Sequence, residues 1–73
     1  HACRAMQMIV SSRHRVKSDK NAIVVTTALD AIARLEHAGN IARVVLAGSF
    51  ASDPVLVAFL EEAYPGVHVE REA

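Results

Sequence analysis

The sequence predicts a small α/β domain with a parallel sheet, and three observations carry that prediction. Short β-branched runs, Ile23-Val24-Val25-Thr26 and Ile41 to Leu46, alternate with stretches whose apolar residues recur at helical spacing. Each helical stretch has its own start signal, Thr27 to Asp30 for one and Asp53-Pro54 for the other. The connections are only a few residues long, so strands joined by single helices run parallel through right-handed crossovers. The expected element order is α-β-α-β-α-β, in one domain over residues 1–73.

Residues 2–16 open the chain. Ala2, Ala5, Met6, Ile9 and Val10 share one helical face, whereas Met6, Met8 and Val10 also alternate as a strand over Ala5–Val10 would. The helix-forming character of Ala, Met, Gln and Arg favours helix, with β-branched residues only at the end. Residues 17–22 form a polar connection. Ile23 to Thr26 then has the continuous apolar character of a strand covered on both faces.

Thr27-Ala28-Leu29-Asp30 fits a weak capping box, with the Thr hydroxyl accepting an orphan amide. In the helix that follows, 28–38, Leu29, Ile32, Ala33 and Leu35 are expected to face inward, and Gly39 to close it in a left-handed conformation. Ile41 to Leu46 is the second strand. Asp53 caps a helix over 54–63 with Pro54 at its first position, where the missing amide costs nothing. Val55, Leu56, Phe59 and Leu60 give it an apolar side, Tyr64-Pro65-Gly66 stops it, and Val67-His68-Val69 begins a third strand before a charged tail.

Composition supports a folded chain and limits what it can do. Of 73 residues, 52% are hydrophobic and 22% charged, far from the disordered range. The apolar content is rich in Ala and Val, with Phe50, Phe59 and Tyr64 as aromatics, so each side chain buries little area. A chain this short has a thin stability margin, and support from a partner subunit or further chain is expected. Cys3 is alone, which rules out an intramolecular disulfide. No apolar run reaches a membrane span and no signal-peptide pattern opens the chain, so a cytoplasmic protein without membrane partners is expected. Net charge is zero but uneven: residues 1–20 hold five bases against Asp19, and the rest hold three against seven acids. Such polarity can steer association between copies or with a charged partner.

From Thr27 through Leu35, then Arg43-Val44-Val45-Leu46, then Asp53 through the helix to Tyr64-Pro65-Gly66-Val67-His68-Val69, the chain resembles a response-regulator receiver domain. The resemblance implies a flavodoxin-like sheet, here incomplete, and places Ala5-Met6-Gln7-Met8 where that fold has its first helix. It leaves no first strand and none of the acidic pair that holds Mg²⁺ in receivers. The position matching the phosphoacceptor aspartate is Ala47, and Phe50-Ala51 stands where receivers have Met-Pro. Phosphoryl transfer to a carboxylate needs that nucleophile and a divalent metal, so the resemblance implies a receiver without receiver chemistry. With no first strand, the remaining strands would expose edges that invite pairing with another chain.

Other candidate sites are weaker. Gly48, Ser49, Ser52 and Asp53 lie in a loop feeding a helix N-terminus, where free amides can hold an anion. The loop lacks the glycine spacing of a nucleotide motif, and a plain βα connection is the simpler reading. Arg13, Arg15, Lys17 and Lys20 could contact a phosphate backbone, although no aromatic platform accompanies them. His1, His14, His37 and His68 lack metal-ligand spacing, and Ser11, Ser12, Ser49 and Ser52 lack a nucleophile motif. No catalytic residue, metal or cofactor is therefore assigned, and a non-enzyme is expected. The leading expectation is a signalling or regulatory domain that binds a protein partner or itself. Its contacts are expected from Met6, Met8, Ile9 and Val10, with Arg13, Arg15 and Lys17 beside them. A small-ligand or anion module using Gly48 to Asp53, and a nucleic-acid module using Arg13 to Lys20, are the alternatives.

Overall fold

A computed structural model describes residues 5–12 and 21–72. Its elements are β1 (Met6–Val10), β2 (Ala22–Val25), α1 (Ala28–His37), β3 (Ile41–Ala47), a 3-10 turn (Gly48–Ser52), α2 (Pro54–Ala63) and β4 (His68–Glu72). The strands form one sheet in the order β2-β1-β3-β4, and every neighbouring pair is parallel. The expected parallel α/β class is present. Cys3, His14, Arg13, Arg15, Lys17 and Lys20 lie outside the described residues.

The opening element corrects the expected order, because residues 6–10 form a strand and not a helix. β1 lies between β2 and β3, with Val10 opposite both Val25 and Leu46. Its ladder is extended where the Met6 amide donates to the Asn40 carbonyl at 2.8 Å and the Ser11 amide to the Val25 carbonyl at 2.9 Å. Two-sided pairing and complete burial of Met8 and Val10 outweigh the few tenths of a kcal/mol per residue by which helix propensity favours the alternative. The pairing register shifts between Met6 and Gln7: Met6 faces Ile41, while Gln7 faces Arg43.

Strand alternation divides the side chains between two faces. Met8, Val10, Val25, Val44 and Leu46 pack in one cluster with Ala31 and Leu35 of α1 and with Leu56 and Leu60 of α2. Both described helices therefore cover the same side of the sheet. Gln7, Ile9, Val24, Arg43, Val45 and Glu70 alternate onto the opposite side.

The helix faces are rotated from expectation. In α1 the core-facing set is Ala28, Ala31, Ile32 and Leu35, while Leu29 is 82% exposed and Ala33 is also exposed. The phase is set by Thr27, whose Oγ1 accepts from the Asp30 amide at 3.1 Å, and Leu29 falls about 100° off the inward stripe. In α2 the Asp53 carboxylate accepts from the Leu56 amide at 3.1 Å and Pro54 opens the helix, as expected. Leu56 and Leu60 are buried, but Val55 is 77% and Phe59 46% exposed. Phe59 meets Tyr64 edge-on, with ring centroids 6.4 Å apart.

Gly39 does not take the left-handed conformation expected of it. α1 ends on an extended Ala38, whose amide donates to the Arg34 carbonyl at 2.8 Å. Gly48 is the one described residue with positive φ, at 61°, where the chain leaves β3 for the 3-10 turn. The last strand continues through the charged tail to Glu72, held by unbroken pairing from Arg43–His68 to Ala47–Glu72.

Candidate functional site

In open α/β sheets, ligands and chemistry gather at the carboxyl ends of the strands, where the order reverses. Here that reversal lies between β1 and β3, the two central strands, since β1 connects toward β2 on one side and β3 toward β4 on the other. The last paired residues are Val10 and Leu46, so Ser11 and Ala47 come next, side by side. Ser11 is buried and its amide is taken up by Val25, whereas Ser12 is exposed. Ala47 is half-buried, and Thr26 follows β2 on the other flank. None of these side chains is a carboxylate. Among the described residues, no group of three or more His, Cys, Asp and Glu is placed to hold a metal ion.

The loop after Ala47 leads into the 3-10 turn and then α2. Gly48, Ser49 and Ser52 are exposed, and Ala51 turns into the interior. The carboxylate at the start of α2 belongs to Asp53, which already satisfies the Leu56 amide and puts negative charge where an anion would sit. The residues expected as protein contacts are placed differently from expectation. Met8, Ile9 and Val10 are buried within the central strand and Met6 is half-buried, so they build the chain's own sheet instead of a contact surface. The basic residues expected beside them, Arg13, Arg15 and Lys17, lie outside the described part.

Two features escaped the sequence reading. On the side of the sheet that neither described helix covers, Arg43 donates to Glu70, with His68 Nε2 at 3.6 Å from the same carboxylate oxygen. On the helix side, α2 and β4 enclose an open groove of about 370 Å³ lined by Pro54, Val57, Ala58, Glu61, Val69 and Arg71. The signal for both was the period-two alternation from Val67 to Glu72, which sends Val69 and Arg71 to one side and His68, Glu70 and Glu72 to the other.

Comparisons with protein-family models, with curated proteins and with solved structures find no match to this chain. No helix among the described residues is long and apolar enough to cross a membrane.

Proposed function

We propose that this chain is a non-enzymatic regulatory domain of receiver-like build that acts through protein contacts without accepting a phosphoryl group. The observation that carries this reading is the pair Ser11 and Ala47 at the switch point. A receiver's acidic pair follows its first strand and its phosphoacceptor ends its third; here Ser11-Ser12 follows β1 and Ala47 ends β3. The strand order supports the same reading, since β1 fills the place between β2 and β3 that the resemblance had left vacant. Exposed Leu29, Val55 and Phe59 add apolar surface on the helical side, of the kind protein contacts use.

Incubating the chain with acetyl phosphate and Mg²⁺ tests the reading by intact mass and backbone amide shifts. The expected result is no covalent phosphoryl group and unmoved amides at Ser11, Ala47 and Gly48. A gain in mass of one phosphoryl group, or metal-dependent shifts at those amides, would contradict it.

A further inference from the structure

We draw no further inference here: the strongest candidate, the exposed apolar surface that Leu29 of α1 and Val55 and Phe59 of α2 present on the helical side of the sheet, carries nothing because nothing in the structure shows what covers it.

Discussion

β1 and β4 are both five-residue strands in the same sheet, yet they differ in almost every respect that governs use. β1 is apolar, lies between two neighbours and has its last three residues buried. β4 is charged, has one neighbour among the described strands and keeps most of its side chains at the surface. Position in the sheet explains the difference. A strand paired on both edges and covered by helices on at least one face has little left to offer a partner, so Met8 and Val10 serve cohesion. Among the described strands β4 meets the sheet through β3 alone, and it keeps His68, Arg71 and Glu72 exposed. The apolar character of Met6 to Val10 suggested a sticky contact surface. That character instead marks where the sheet is most closed.

Substitutions can break or sharpen this contrast. The largest effect is expected in β1: Met8→Ala removes a fully buried side chain from the cluster shared by both helices and should cost about 2–5 kcal/mol in denaturant-induced unfolding. A loss below about 1 kcal/mol would mean the central strand is not tightly packed. Next comes the cap that joins the switch point to α2. Asp53→Ala leaves the Leu56 amide without its acceptor and should lower stability by about 1 kcal/mol.

Two of the three glycines should respond with opposite sign. Neither Gly48 nor Gly39 has an atom within 4 Å of an added Cβ, so only backbone angle distinguishes them. Gly48→Ala, at φ 61°, should destabilise by about 1–2 kcal/mol, while Gly39→Ala should stabilise by about 0.4–1 kcal/mol through a less flexible unfolded chain. Equal thermal shifts in one direction would contradict the assigned angles. The smallest effect belongs to β4, where Glu70→Gln loosens half-exposed contacts with Arg43 and His68 and should cost well under about 1 kcal/mol. If that substitution unfolded the chain as Met8→Ala does, β4 would be part of the core and the contrast would fail.

What could be read from sequence follows the range of the forces involved. Both helix starts were legible because Thr27 and Asp53-Pro54 act on amides two or three residues away. The end of α2 was legible for the same reason, at Tyr64-Pro65-Gly66. β1 was not, because its conformation depends on Ile23 to Val25 and Val44 to Leu46, and no local preference of Met or Gln reports that pairing. The outer half of β4 was hidden by its charges, which read as a tail until Val44 to Ala47 supply a ladder. Leu29, Val55 and Phe59 were misjudged because hydrophobicity was weighed ahead of helical phase. At the switch point, Ala47 was legible directly as a residue with no reactive side chain, and it ends β3. Its neighbour Ser11 became part of the site only once residues 6–10 were a strand.

The proposal at the centre of this account is a receiver-like frame with no carboxylate at Ala47 or at Ser11 and Ser12 after β1. Grafting carboxylates tests it most directly: Ser12→Asp with Ala47→Asp, at one exposed and one half-buried position, titrated with Mg²⁺ while the amides of residues 11–12 and 47–48 are followed by NMR. Saturable shifts are expected in the variant and none in the unmodified chain, because two carboxylates at adjoining strand ends make a hard-cation site. A variant that stays folded and blind to Mg²⁺, or an unmodified chain that already responds, would contradict the account.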